Sequence, residues 1–250
     1  MIVSEHSDAT IPTEIRFYLD GSDDVPLTIG SAGSDEREKF LDELQVMLTF
    51  VDQPVLGRND VDGLEWYIRD RHAKQFPPLA YHNPHHIFDV YEACGRIAAG
   101  EGVTGMDLAL LRIAALFHDA GFIHTYDHHE ARGADMAAAG MPVFGFDADQ
   151  IRTVCGMILT TRVPQRPATH LERILCDADL DYLGRDDFYT IGRKLYEELR
   201  SAGAVDGEDA WNQLQVKFLG SHGYHTSFSR HHREPAKQER LKEIRSLIEP

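Results

Sequence analysis

The sequence predicts an all-α protein, with one helical domain preceded by a short N-terminal extension. Two observations lead to this prediction. From residue 35 onward, apolar residues recur three and four positions apart in one segment after another, which is the spacing of an amphipathic helix. Over the same region, the two-residue alternation that marks β-strands is almost absent. We therefore assign residues 1–34 to the extension and residues 35–250 to the helical domain.

The extension is rich in Asp, Ser, Gly and Thr. Within it, the segments IRFYL and VPLTI flank the turn-forming stretch DGSDD, which is the pattern of a small β-hairpin. Disorder of the whole extension is the alternative interpretation, because terminal segments of this composition are often poorly ordered.

Helices are predicted at ten places in the domain, over residues 40–51, 64–68, 84–98, 104–121, 129–140, 147–159, 169–178, 188–199, 211–219 and 236–248. Asn83 suits an N-cap and Pro84 suits the first helical position. Thr104 and Asp107 resemble a capping pair, and Gly121 a C-terminal stop. Capping pairs are also predicted at Asp147–Gln150 and Thr169–Glu172.

Composition narrows the class of protein. The chain has 250 residues, of which 42% are hydrophobic and 26% charged, as in a soluble globular protein with a substantial core. No apolar run approaches the ~20 residues that a membrane-spanning helix needs. The N-terminus lacks the basic and apolar regions of a signal peptide. We therefore expect a cytoplasmic protein that has no membrane partner.

Charge and cysteine content are consistent with this expectation. The formal net charge of -16 argues against a nucleic-acid partner, but a bound metal could still make a small phosphorylated substrate acceptable. The three cysteines, Cys94, Cys155 and Cys176, are odd in number and lie within apolar helical patterns. A reduced, cytosolic chain is the simplest interpretation.

Histidines are concentrated in one part of the chain, since eight of the fourteen lie between His72 and His129. In a helix that begins at Pro84, His86 shares a face with apolar residues, whereas His85 is turned about 100° away and is expected to be exposed. His82 precedes the helix, so its ring need not follow the helical face. His86 is therefore the histidine that we expect to point toward the core.

His118 and Asp119 end the most apolar helix of the chain. A buried aspartate must be paired, hydrogen-bonded or bound to metal, because an isolated buried carboxylate is very costly. A pair that points to water from the end of the helix is the alternative, and the pattern alone leaves both open.

Two aspartates compete for a role in the segment ILCDADLDYLG. On a helix, Asp179 stacks with Leu175 and Leu183 on an apolar face, whereas Asp177 stacks with charged residues on a polar face. The sequence therefore predicts Asp179 as the inward carboxylate and Asp177 as a solvated charge. Together with His86, His118 and Asp119, Asp179 completes two imidazoles and two carboxylates, a plausible set for a divalent transition metal.

This order of residues resembles the HD superfamily of metal-dependent phosphohydrolases, whose signature is His, then His-Asp, then Asp. The resemblance is carried by His86, by His118 and Asp119 in ALFHDAG, and by Asp179 in CDADLDYLG, over approximately residues 60–230. It implies an HD-type helical bundle that binds a divalent ion (Mn, Fe, Zn, Mg or Ni) at one firm site, and it leaves open a second ion to which Asp119 could bridge. DADLDYLG is also similar to a group of small bacterial HD proteins.

The segment YHNPHHIFDV is similar to the YHN-x-x-H-x-x-x-V segment of class I cyclic-nucleotide phosphodiesterases. In that family the first histidine donates a proton to the leaving oxygen and the second binds metal, roles that carry over to His82 and His86. The resemblance implies a nucleotide phosphoester, a cyclic nucleotide in particular, as substrate. It also implies hydrolysis by metal-bound hydroxide, with His82 and Asp119 as catalytic residues.

The sequence also departs from these families. The phosphodiesterases carry a further histidine shortly after His-Asp, where this chain has Phe122 and Ile123. HEARG resembles the HPxxG segment of other HD enzymes, which makes His129 a candidate second-metal ligand or substrate contact. Arg162 and Arg166 are candidate phosphate contacts on the loop before the last aspartate, although simple solvation is the more common fate of loop arginines.

Two other functions remain open on the same scaffold. Di-iron oxygenases of the superfamily need another histidine well before the last aspartate. His170 lies only nine residues before Asp179, so it fits this requirement poorly. A non-catalytic nucleotide-binding sensor is the second alternative. The complete set of ligands argues against the sensor, since a degenerate binder has no need of all four.

Overall fold

The computed structural model describes residues 15–17, 25–27 and 59–248. Ile15–Phe17 (β1) and Val25–Leu27 (β2) pair antiparallel, with Ile15 opposite Leu27, in the segments where the sequence indicated a hairpin. The rest of the extension and the helix predicted at residues 40–51 lie outside the described residues.

Ten α-helices make up most of the described chain. They are α1 (Val61–Gln75), α2 (Pro84–Glu101), α3 (Gly105–Phe117), α4 (His129–Gly140), α5 (Ala148–Thr160), α6 (His170–Asp179), α7 (Phe188–Ser201), α8 (Glu208–Ser221), α9 (Ser227–His232) and α10 (Glu234–Ile248). Three short 3-10 helices connect some of them, at Ala120–Ile123, Met141–Phe144 and Asp181–Gly184. The all-α prediction is thus confirmed. None of the described helices is both long and apolar enough to cross a membrane.

Most of the predicted helix starts are also seen. Asn83 caps α2 by accepting the backbone N–H groups of His85 and His86. Complete capping boxes open α5 at Asp147 and α6 at Thr169. The capping pair predicted at Thr104 is wrong, because that side chain makes no capping hydrogen bond.

The predicted end of α3 also needs correction. The helix stops at Phe117 and not at Gly121, which lies inside the 3-10 helix that follows. Gly121 is needed for a different reason. A Cβ atom at this position would lie 2.0 Å from the carbonyl oxygen of His129, so only glycine lets the two backbones approach.

The side chains pack into two hydrophobic cores. The larger core lies among α1 to α6, around fully buried residues of α3 such as Leu111 and Ala114. The smaller core joins the 3-10 helix at Asp181–Gly184 to α7, α8 and α10, and includes Tyr81 and Leu180. Since Tyr81 precedes α2 and Leu180 follows α6, the two cores meet beside the first turn of α2 and the end of α6.

The prediction that Asp177 is a solvated charge is wrong. Its side chain is 0% exposed and accepts the backbone N–H groups of His225 and Thr226 at 2.8 Å, together with the Thr226 hydroxyl at 2.6 Å. These partners lie 48 and 49 positions further along the chain, in the segment just before α9. Asp177 thus joins the C-terminal segment to α6.

Substitution of Asp177 tests this structural role. Asp177→Asn keeps the shape but replaces one accepting oxygen by an amide that faces N–H donors, so we expect the free energy of unfolding to fall by about 2 kcal/mol. Urea denaturation followed by circular dichroism measures the change. The control is Asp186→Asn at an exposed position. Equal stability of the two variants would contradict the role assigned to Asp177.

Candidate metal centre and active site

Three structural elements bring the predicted ligands to one place. His86 lies in the first turn of α2, His118 and Asp119 follow the last residue of α3, and Asp179 is the last residue of α6. Their side chains are at most 15% exposed. The ends of three packed helices thus converge on a mostly buried point.

The ligand atoms lie within a few ångströms of one another. His86 Nε2 is 3.5 Å from Asp119 Oδ2 and 3.3 Å from Asp179 Oδ1. His118 Nε2 is 3.4 Å and 3.6 Å from the same two oxygens. Because each imidazole nitrogen faces both carboxylates, the four groups surround a common centre.

The buried atoms of this cluster are not satisfied by hydrogen bonds within the protein. His118 Nε2 and Asp119 Oδ2 are both buried, and neither has a hydrogen-bond partner among the described residues. Buried polar atoms without partners are rare in folded proteins. Together with His86, these two residues have donor atoms close enough to ligate a single metal ion.

The tautomer of His118 suits metal binding. Its Nδ1 lies 2.7 Å from the carbonyl oxygen of Ala115, which can only accept, so Nδ1 carries the proton and donates it. In the neutral ring, which is the form that binds metal, the lone pair is then on Nε2, which faces the cluster. Metal-ligating histidines are commonly oriented in this way by a carbonyl or carboxylate.

The electrostatics of the cluster favour a cation at its centre. Burial opposes ionisation of Asp119, but the His118 imidazole beside it holds the pKa of that carboxyl well below its usual range. The pKa of Asp179 falls to about 2, since its interactions with the nearby imidazoles of His118 and His86 outweigh burial. Burial also opposes a charge on His118, yet the Asp119 carboxylate raises its pKa well above the ordinary value. Two ionised carboxylates therefore remain in the interior.

Asp179 has an additional partner that the sequence did not suggest. Gln165, in the loop before α6, donates from Nε2 to Asp179 Oδ2 at 3.1 Å. This contact leaves Oδ1 facing the imidazoles of His86 and His118. Gln165 thus orients the carboxylate.

His129 lies on the other side of Asp119. Its Nε2 is 3.5 Å from Asp119 Oδ1, and its Nδ1 is 3.0 Å from the carbonyl oxygen of Tyr126, to which it donates. Asp119 therefore lies between the main cluster and His129, as a bridging carboxylate would. Gly133 permits this geometry, since a Cβ atom there would lie 2.4 Å from the carbonyl oxygen of Phe117.

His82 is held in place and is not free to swing as its position before the helix suggested. Its Nδ1 lies 2.5 Å from Glu198 Oε1, and the other oxygen of Glu198 accepts the backbone N–H groups of Tyr81 and His82. Although burial disfavours the charged ring, the hydrogen bond to Glu198 raises the pKa of His82 above its ordinary value. The pKa of Glu198 falls to about 2, since the His82 contact outweighs burial.

The sequence interpretation missed Glu198, although a signal was present. Glu198 is 4% exposed and follows Ile191 and Leu195 at helical spacing on the inward face of α7. The periodicity argument that selected Asp179 selects this carboxylate as well. No local pattern links it to His82, which is 116 positions away.

A cavity of about 510 Å³ opens next to these groups. Part of its lining is polar and includes His82, Asp119, His129, Asp179 and Arg162. Apolar residues of α7 and α8 form another part of the lining. The volume lies within the range of ~300–1,000 Å³ that is usual for small-molecule sites.

The remaining candidate residues lie elsewhere. Arg166 is exposed and is not among the residues that line this cavity. His85 is exposed, as the helical geometry indicated. His170 lies 3.7 Å from Glu101 and lines a second cavity together with it.

Comparison with known proteins supports the resemblance to the HD superfamily. Residues 85–181 match the HD domain family model, which confirms the resemblance to the HD superfamily. A crystal structure of a predicted HD superfamily hydrolase from an uncultured Thermotogales bacterium has a similar fold. The TM-score is 0.50 and the identity 23%, with 75% of this chain and 90% of that chain covered. No curated protein matches the chain by sequence.

Metal content tests the ligand assignment. We expect His86→Ala to lose bound transition metal, because it removes an inward imidazole that faces both carboxylates. His85→Ala is the matched control, because it removes an exposed neighbour on the same helix. Inductively coupled plasma mass spectrometry of both purified variants measures the effect. Full metal content in His86→Ala would show that the assignment is wrong.

Proposed function

We propose that this protein is a metal-dependent phosphohydrolase. The observation that carries the proposal is the arrangement of a four-residue ligand cluster and a hydrogen-bonded His–Glu pair around one cavity. His82, Asp119 and Asp179 all line that cavity, so a single substrate can reach the ligand cluster and a proton donor together. The HD domain at residues 85–181 supports the same class.

The chain supplies the residues that a divalent ion requires. His86, His118, Asp119 and Asp179 would hold one ion, and Asp119 with His129 could contribute to a second. Such an ion lowers the pKa of bound water and neutralises charge on a phosphoryl group. The donor set of nitrogen and oxygen atoms suits several transition metals, manganese and iron among them.

The chain's own contribution to the reaction is proton transfer. Cleavage of a phosphoester leaves an alkoxide that needs a proton. His82 Nδ1 donates to Glu198, so Nε2 of the protonated ring carries the proton available for transfer. Glu198 fixes the ring and raises its pKa, which keeps the acid form populated at higher pH than in a free histidine.

The finer part of the proposal concerns the substrate. The similarity of YHNPHHIFDV to the phosphodiesterase segment favours a nucleotide phosphoester, a cyclic nucleotide in particular. Arg162 lines the same cavity as His82 and is the candidate phosphate contact, whereas Arg166 does not line it. The oxygenase alternative needs a further histidine ligand, but the candidate His170 contacts Glu101 instead.

Turnover by the metal-loaded protein tests the proposal as a whole. Purified protein supplied with Mn²⁺ is assayed for phosphate release and for monoester formation from cyclic nucleotides, linear nucleotides and simple phosphate esters. We expect hydrolysis of at least one of these classes and its loss on chelation. Failure to cleave any phosphate ester with metal bound would overturn the proposal.

His82→Ala separates catalysis from metal binding. We expect the variant to keep its metal while kcat falls by ~10²–10⁴-fold, the usual contribution of a general acid. Metal content and steady-state kinetics are measured on the same preparation. Loss of metal from His82→Ala, or unchanged kcat, would contradict the role of His82.

Glu198→Gln tests the pair through pH dependence. The protonated ring is the active form, so its pKa sets the alkaline limb of the rate profile. Removing the carboxylate lowers that pKa, and we expect the limb to move to lower pH and kcat to fall. The matched control is Glu197→Gln, whose side chain is 55% exposed. A variant with lower kcat but an unchanged alkaline limb of the rate profile would indicate that Glu198 has a purely structural role.

A further inference from the structure

The cavity beside the candidate metal centre has a second group of lining residues with a different chemistry. This part of the lining, which we call the α7–α8 cleft, includes Leu195, Leu199, Trp211, Leu214, Phe218 and Leu219. Nine of the cavity's lining residues come from α7 and α8, and seven of them are leucine, phenylalanine or tryptophan. The cleft is therefore an apolar surface that continues directly from a charged site.

The cleft offers little for hydrogen bonding. Gln215 is the one amide among those nine residues, and its Nε2 already donates to Asn212. The last residue of the nine is Gly192, which adds no side chain. A polar group such as a polyhydroxylated sugar would lose its water there without finding replacement partners, which is unfavourable.

The apolar surface also has parts that reach solvent. Leu214 is 41% exposed although it lines the cleft, and leucine side chains of both helices face the same space. Covering such surface is worth roughly 25 cal/mol per Å². The same cavity is lined by His82 and Asp119, so a ligand that lies in the cleft can also reach the ligand cluster.

We propose that the α7–α8 cleft binds the organic group of the phosphoester, and that this group is predominantly apolar or aromatic. The inference rests on the proposed function and specifies its substrate class. The phosphate lies among His82, Asp119 and Arg162, while the organic group lies against Leu195, Trp211 and Leu214. Affinity is then set by apolar contact area. A nucleobase and an aryl or alkyl chain are two sources of the same chemistry.

Non-hydrolysable phosphonates test the cleft without any turnover. Methylphosphonate, hexylphosphonate and benzylphosphonate share one charged head and differ in apolar area. We expect isothermal titration calorimetry of the metal-loaded protein to show hexylphosphonate and benzylphosphonate binding at least about tenfold more tightly than methylphosphonate. Equal affinities for the three ligands would overturn the proposal.

The location of the bound group is tested in two ways. In a Trp66→Phe background, Trp211 is the remaining tryptophan, and its fluorescence should change with hexylphosphonate. Leu214→Asn should weaken hexylphosphonate about three- to tenfold and leave methylphosphonate unchanged. Leu247→Asn, at a position 70% exposed on α10, is the matched control and should change neither. An unchanged Leu214→Asn variant would place the organic group elsewhere and overturn the proposal.

Binding of adenosine 5′-monophosphate distinguishes a nucleobase from an aryl or alkyl chain as the organic group. Tighter binding of this nucleotide than of hexylphosphonate indicates a nucleobase, and binding no tighter than methylphosphonate indicates an aryl or alkyl group. Both results are compatible with an apolar cleft. Because the phosphonates report binding alone, their selective binding without turnover of any ester would overturn the proposed hydrolysis and leave the cleft assignment standing.

Discussion

The structure around the site depends on the placement of two ionised carboxylates, Asp119 and Asp179, inside the protein. Each is at most 15% exposed, and each remains charged because imidazoles oppose it. Two buried carboxylates are stable only when positive charge nearby compensates them. In the protein alone, His118 supplies part of that charge, since the neighbouring carboxylate holds its pKa high. A divalent ion at the same centre would replace this arrangement with direct ligation.

Surrounding contacts keep the four ligands aligned to bind a divalent ion. The Ala115 carbonyl fixes the tautomer of His118, and Gln165 turns the Asp179 carboxylate toward the imidazoles. Gly133 lets α4 approach the end of α3 closely, which places His129 beside Asp119. The Ala115 carbonyl and the Gln165 amide are neutral groups, so they orient the ligands without neutralising them.

Sequence periodicity located the inward groups but not their partners. Helical spacing pointed to Asp179 because its neighbours one turn away, Leu175 and Leu183, are apolar, and the structure places it beside His86. The same reasoning failed for Asp177, whose partners at positions 225 and 226 belong to a distant segment. Glu198 was missed for the same physical reason, since its contact with His82 spans 116 positions. Pairings of this range follow from packing, which a local pattern does not encode.

The two hydrophobic cores divide the chemistry of the site between them. His86 on α2, and His118 and Asp119 just after α3, adjoin the larger core, whereas Glu198 and the α7–α8 cleft adjoin the smaller one. His82 lies at the junction, adjoining α2 through Asn83 and bonded to α7 through Glu198. Substitutions on α7 and α8 can therefore reshape the cleft without moving a metal ligand. The position of Glu198 on α7 also ties the orientation of the proton donor to the wall that faces the organic group.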